Sequence, residues 1–221
     1  MHPMLADIRL ICFDLDGTLV DSVPDLSAAV DAVLADFELP PAGETKVRDW
    51  VGSGSRKLIE QALADALGAP PSTERLERGH ERFLRHYGRD PAARTRLYPG
   101  VREALDALRE DGRILAVVTN KPFALIQPIL SAFGLDGHFA LCLGGDSLPQ
   151  KKPDPAPLWH VAERFGQPVT ACLMVGDSRH DVEAGRAAGF RTLAVPYGYN
   201  HGEPVRNSRP DGMVESLVEL V

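Results

Sequence analysis

Two aspartates, Asp14 and Asp16, stand one residue apart in "FDLDGTLVDS", directly behind an apolar run and ahead of Gly17. Alone, Asp-x-Asp-Gly is also a turn cap, because aspartate and glycine are both favoured in turns. The same arrangement recurs, however. Thr119 and Asn120 follow the apolar "RILAVV", Lys152 lies beyond "FALCLGG", and Gly176 and Asp177 end "ACLMVGD" with Asp181 four residues on. Four carboxylates, a lysine and a hydroxyl are thus spread along the chain behind apolar segments. Carboxylates brought together repel and raise one another's pKa unless a cation offsets them. A hard, oxygen-seeking divalent ion, Mg²⁺, is the expected partner, with an anionic substrate meeting it.

The elements that must position these residues can be read from the pattern. "IRLICFDL", "RILAVVT", "FALCLGG", "ACLMVG" and "RTLAV" are apolar without alternation, the mark of parallel strands covered on both faces. Between them, Val101, Ala104, Leu105 and Leu108, then Leu125, Ile129, Leu130 and Phe133, then Leu158, Val161, Ala162 and Phe165 recur at helical spacing. Strand and helix in alternation predict an α/β fold with a doubly wound parallel sheet. In such a sheet the chemistry-bearing residues fall at carboxyl ends of strands, which line one ligand crevice.

No strand pattern appears between Val20 and about Arg113. Leu26, Ala29, Val30, Val33, Leu34 and Phe37 form one amphipathic stripe, and Leu58, Ile59, Ala62, Leu63, Ala66 and Leu67 another. The breakers "LPPAGE" and "GAPPST" separate the helices. Residues 21–95 are therefore expected to be an all-helical insertion, and residues 1–20 and 96–221 the α/β core.

A chain of 221 residues with 44% hydrophobic and 25% charged residues falls in the ordinary globular range. Its formal net charge of −7, without a basic run, argues against nucleic acid as a partner. No apolar stretch approaches the roughly 20 residues of a membrane span, and no leader pattern opens the sequence. A cytoplasmic protein acting on a small molecule is the expectation. Cys12, Cys142 and Cys172 all lie inside apolar runs, where reduced, packed thiols are expected rather than a disulfide or zinc site.

In order, "DLDGTLVDS", "VVTNKP", "QKKPDP" and "VGDSRHD" resemble the four motifs of the haloacid dehalogenase superfamily. The resemblance covers nearly the whole chain, since a helical insertion after the first motif is similar to that superfamily's small cap. It implies a Rossmann-like core and a Mg²⁺-dependent phosphatase. "WVGSGS", "GGDSLPQKKPDP" and "YGYNHG" carry a nearer resemblance to a branch whose substrate is 2-phosphoglycolate. Carried over by position, the resemblance makes Asp14 the nucleophile that forms an aspartyl-phosphate, and Asp16 the acid and base whose backbone carbonyl also meets the metal. Thr119 and Asn120 would bind phosphoryl oxygens at a helix start, with Pro122 in its first turn. Lys152 would offset charge on nucleophile and phosphate, Asp177 would ligate the metal, and Asp181 would support it from behind or through water. The alternatives are a phosphatase of another small ester or a sugar phosphomutase of the same superfamily. A dehalogenase needs no acid at Asp16, and a binding module would not need to keep Asp14, Asp16 and Asp177 together.

Other signals have plainer explanations. Lys151 is expected to be a solvated charge and Asp146 a loop residue. "VGSGSRK" from Val51 fits no nucleotide-binding loop; it is expected to open a cap helix facing the crevice, where Arg56 or Lys57 could meet a substrate carboxylate. The histidines show no metal-ligand spacing, with His180 the one to watch inside "DSRHD". Trp50 and Trp159 are expected to pack in the core or cap. "ERLERGHERFLRHYGRD" is expected to be a solvated helix because acids interrupt its arginines.

Overall fold

The fold is described from a computed structural model covering residues 2–221. In chain order it comprises β1 (Leu10–Phe13), β2 (Val20–Asp21), α1 (Val23–Asp36), α2 (Glu44–Trp50), α3 (Ser55–Leu67), α4 (Thr73–Tyr87) and β3 (Arg96–Leu97). Then follow α5 (Val101–Glu110), β4 (Ile114–Val118), α6 (Ile126–Ala132), β5 (Leu141–Leu143), α7 (Ala156–Arg164), β6 (Cys172–Gly176), α8 (Arg179–Ala188), β7 (Arg191–Ala194) and β8 (Gly212–Met213).

Six strands form one parallel sheet in the order β5-β4-β1-β6-β7-β8. β1 is central, with Leu10 in register with Ile114 on one side and Cys172 on the other. Both faces are covered, which is why these strands read as continuous apolar runs. Ile11, Phe13, Leu115, Val117, Leu173 and Val175 pack with Val101, Leu105, Ile126 and Ile129 of α5 and α6. The intervening residues, among them Leu10, Cys12, Ala116 and Met174, pack with Leu158 and Val161 of α7 and Ala184 and Ala188 of α8. The five expected strands and the doubly wound class are present. The sixth, β8, is a two-residue glycine-containing strand with too little sequence to show a period.

Helices α1 to α4 have their own apolar core, built from Val30, Leu34, Ile59, Leu63 and Phe83 among others, with Leu125 and Tyr199 contributed from outside them. The chain passes to and from these helices through an antiparallel ribbon in which Val20 pairs with Leu97 and Asp21 with Arg96. This corrects the expectation of no strand between Val20 and Arg113; a two-residue strand leaves no periodicity to detect. α4 is solvated on one side, where Arg78 meets Glu74 and Arg85 meets Glu81, but buries Leu76, Gly79, Phe83 and Tyr87 on the other. Trp50 packs against the helical core, whereas Trp159 is half exposed, its ring N–H donating to the Ala188 carbonyl. The cysteines are free thiols, Cys12 and Cys172 fully buried in the sheet. Among the described residues, no helix is long and apolar enough to cross a membrane.

Candidate active site

The carboxyl ends of β1, β4 and β6, at the reversal of strand order, hold the site. Asp14 continues β1, its N–H still donating to Val175 O at 2.9 Å. The residue is 8% exposed, and its side chain accepts the Leu15 N–H at 2.7 Å and lies 3.1 Å from Lys152 Nζ. Lys152, 2% exposed, also reaches Asp181 Oδ1 at 2.5 Å. The other oxygen of Asp181 receives the N–H and hydroxyl of Ser178, closing a capping box on α8. Asp177, directly after β6, accepts from Thr18 Oγ1 and the Tyr199 N–H, each at 2.8 Å.

Carboxylate oxygens of Asp14, Asp177 and Asp181 all lie within 4.8 Å of one another, and all three residues are buried. Burial, opposed by Lys152 and reinforced by Asp181 and Asp16, pushes the Asp14 carboxyl up to about 6. Burial, then Asp181 and Asp14, hold Asp177 well above the carboxylate range. With all three ionised, these carboxylates against the one ammonium of Lys152 carry a formal −2. Such a cluster suits a divalent cation. Glycines press the acids together: a Cβ on Gly17 or Gly198 would come within 2.3 Å of Asp177, and one on Gly176 within 2.2 Å of Asp181.

Asp16 sits apart from this trio. Its carboxylate accepts from Ser22 Oγ at 2.6 Å and faces Lys121 Nζ at 2.9 and 3.1 Å. Lys121 also donates to Tyr87 Oη at 2.7 Å, and its ammonium lies 4.5 Å from that ring's centre. Thr119 and Asn120, after β4, are buried between the two acids' loops and the helical layer. The Asn120 side-chain NH₂ is taken by the carbonyls of Gly52 and Lys152, both at 2.9 Å. Pro122 precedes a single tight turn, Phe123–Leu125, rather than opening α6 itself.

The crevice wall opposite Asp14 and Asp16 is made by Val51, Gly52, Gly54, Ser55, Leu58, Phe83 and Tyr87. The "VGSGS" turn thus faces the crevice as expected. Arg56 and Lys57 do not: both are exposed, paired with Glu77 and Glu60, and neither lines it. Lys151 is exposed as expected, and its ammonium also donates to Ser53 O at 2.8 Å. Asp146 is a loop residue that accepts the Phe123 N–H. His180 lies on the same seam, 3.1 Å from Ser53 Oγ and edge-on to His201, with burial pushing its pKa down to about 4.

Sequence reasoning missed Lys121, Tyr87, Thr18 and Gly198. The signal for Lys121 was its place beside Thr119 and Asn120 at a strand end. Tyr87 gave none, being the last residue of a charge-rich helix.

Residues 8–189 match the haloacid dehalogenase-like hydrolase family. A protein of Haemophilus influenzae named phosphoglycolate phosphatase is 45% identical, with 99% of each chain covered. One of the same name from Nitrosococcus oceani is 44% identical over 98% of this chain and 96% of its own. The crystal structure of a "predicted phosphoglycolate phosphatase" from Haemophilus somnus 129pt superposes with a TM-score of 0.93 at 40% identity, covering 98% of this chain and 97% of that one.

Proposed function

The chain belongs to the haloacid dehalogenase-like hydrolases, and from that premise we propose that it hydrolyses 2-phosphoglycolate to glycolate and phosphate. The observation that carries the proposal is Asp14: a buried carboxylate at the end of the central strand, oriented by the Leu15 N–H and Lys152. A carboxylate so placed can attack phosphorus without an activating base. Its oxygen forms a bond to phosphorus as the ester P–O bond breaks, and Asp16 gives a proton to the departing glycolate oxygen. Asp16 then takes a proton from the water that cleaves the aspartyl-phosphate, which frees Asp14 and releases phosphate.

Thr119 Oγ1 and the Asn120 main-chain N–H would hold phosphoryl oxygens, and Lys152 would offset their charge from the Asp14 side. Asp14, Asp177 and the Asp16 main-chain carbonyl would hold Mg²⁺, with Asp181 fixing Lys152 and the α8 start behind them. When bound, the ion supplies positive charge to the phosphoryl oxygens. Residues 21–95 would act as the cap over a core of residues 1–20 and 96–221. Contacts across that seam include the polar ones of Asn120 to Gly52, Lys151 to Ser53, His180 to Ser53, His201 to Asp49 and Lys121 to Tyr87, beside Leu125 and Tyr199 packed into the helical core. Opening there admits a small ester, and closing excludes bulk water. The enzyme would work in the cytoplasm on a small phosphorylated metabolite, without nucleic acid or membrane.

The test is phosphate release from 2-phosphoglycolate beside sugar and nucleotide monophosphates, with Mg²⁺ or chelator, for wild type and Asp14→Asn. Metal-dependent release that favours 2-phosphoglycolate and vanishes in the variant is expected. Preference for another ester would move the substrate, and transfer to a sugar hydroxyl without free phosphate would identify a mutase.

A further inference from the structure

Hydrolysis of 2-phosphoglycolate requires the site to tell a carboxylate-bearing leaving group from a neutral one, and the residues named so far do not. Lys152 lies behind Asp14 on Asp181, and Arg56 and Lys57 are outside the crevice. The described residues lining the crevice include one cation, Lys121, which is 4% exposed.

Bond counting fixes where a substrate carboxylate would fall. In 2-phosphoglycolate a single methylene separates the ester oxygen from the carboxylate. Asp16 must touch that ester oxygen in order to protonate it. Lys121 Nζ touches Asp16 at 2.9 and 3.1 Å, on the same wall of the crevice. An ammonium adjacent to the acid is therefore adjacent to a group one methylene away from the acid's target. Its third hydrogen is directed to Tyr87 Oη at 2.7 Å, which anchors the lysine tip against the cap.

We propose that Lys121 is the specificity-determining residue, and that one of its hydrogen bonds to Asp16 passes to the substrate carboxylate when the ester binds. This deepens the proposed function and rests on it. The chemistry favours an acid over an alcohol for a definite reason. A buried ammonium gains a second anionic partner from the acid, whereas a neutral leaving group brings none and crowds the ion pair. The Tyr87 hydroxyl links this recognition to the cap, because its oxygen holds the lysine only while α4 is in place.

The experiment compares kcat/KM for 2-phosphoglycolate with that for 2-hydroxyethyl phosphate, which has an alcohol in place of the carboxylate, in wild type, Lys121→Met and Arg56→Ala. Circular dichroism checks that each variant is folded. Wild type is expected to prefer the carboxylate, and Arg56→Ala to keep that preference. In Lys121→Met the rate on 2-phosphoglycolate should fall by about ten- to a hundred-fold more than that on the alcohol, the range of one charge-assisted hydrogen bond. If Lys121 acts only through Asp16, both esters suffer equally and the preference survives, which overturns the inference while leaving the function intact. No preference in wild type overturns the function itself. If Lys121→Met does not fold, Lys121→Gln, which can still hydrogen-bond Asp16 and Tyr87 but brings no charge, makes the same comparison: a preference undiminished from wild type refutes the assignment and a reduced one supports it.

Discussion

Gly198 offers the sharpest test of how the acid cluster is held. A methyl group there would lie 2.3 Å from both Cβ and Oδ2 of Asp177, whereas ordinary contact begins near 3.4 Å. The backbone has little room to retreat, because the next N–H, of Tyr199, donates to Asp177 Oδ2 at 2.8 Å. Tyr199 is fixed in turn, its hydroxyl donating to Asp21 and accepting the Ser22 N–H. Relief of the overlap must therefore displace the Asp177 carboxylate, and a shift of ~1 Å in an active-site group costs on the order of 10²-fold in rate. Overpacking adds roughly 1–3 kcal/mol of destabilisation. Gly198→Ala is expected to lose about two orders of magnitude in kcat/KM for phosphate release, with a lowered Tm. Gly137→Ala is the control: it has no atom within 4 Å of the new methyl group, and both activity and Tm should stay at the wild-type value. A Gly198→Ala enzyme indistinguishable from wild type would refute the claim that this glycine packs Asp177 into place.

Three further outcomes are expected. The Asp14→Asn protein should be inactive yet more stable than wild type in chelator at neutral pH. Burial raises the folded Asp14 pKa from 3.8 to about 6, so the folded state binds the proton more tightly and stability is lost as pH rises through that window. The gain, of order 3 kcal/mol at most, should disappear below about pH 4, as urea titrations at the two pH values would show. Mg²⁺ at about 100 times its Kd should stabilise the wild type by about 2.7 kcal/mol, and Asp177→Asn should remove most of the resulting thermal shift. His180 is held neutral by burial, its pKa down from 6.5 to about 4. The unfolded chain takes up that proton first, so stability should fall as pH drops from about 6.5 toward 4, with a shallower fall in His180→Gln.

Much of this was legible in the sequence for physical reasons. Leu10 to Phe13 and Cys172 to Gly176 read as strands because both sheet faces are buried, and such strands have no polar side to break the run. Asp14, Asp177 and Thr119 stood out because polar residues directly behind such runs must emerge at one edge, and Lys152 because it resembles a family lysine that directly precedes a proline. What failed depended on pairing between distant segments. Arg56 was attractive by position, yet Glu77 on α4 holds it outward. Lys121 reads as an exposed lysine until Asp16 and Tyr87, from two other elements, are placed around it.

The two ion-paired groups in the crevice divide the work by their charge balance. Asp16 and Lys121 cancel, so this half of the site can be buried at modest cost and can exchange one partner for another without leaving a naked charge. Asp14, Asp177 and Asp181 do not cancel against Lys152. Their excess is imposed by glycines at positions 17, 176 and 198, where any larger residue would push the carboxylates apart. Replacing one of these glycines should relax the repulsion and weaken the site in the same stroke. The stability that Asp14→Asn is expected to gain comes first from burial of the carboxyl and only then from Asp181 and Asp16, whereas the activity that Gly198→Ala is expected to lose comes from displacing Asp177. If Asp14→Asn proves no more stable than wild type in chelator, the raised Asp14 pKa is wrong.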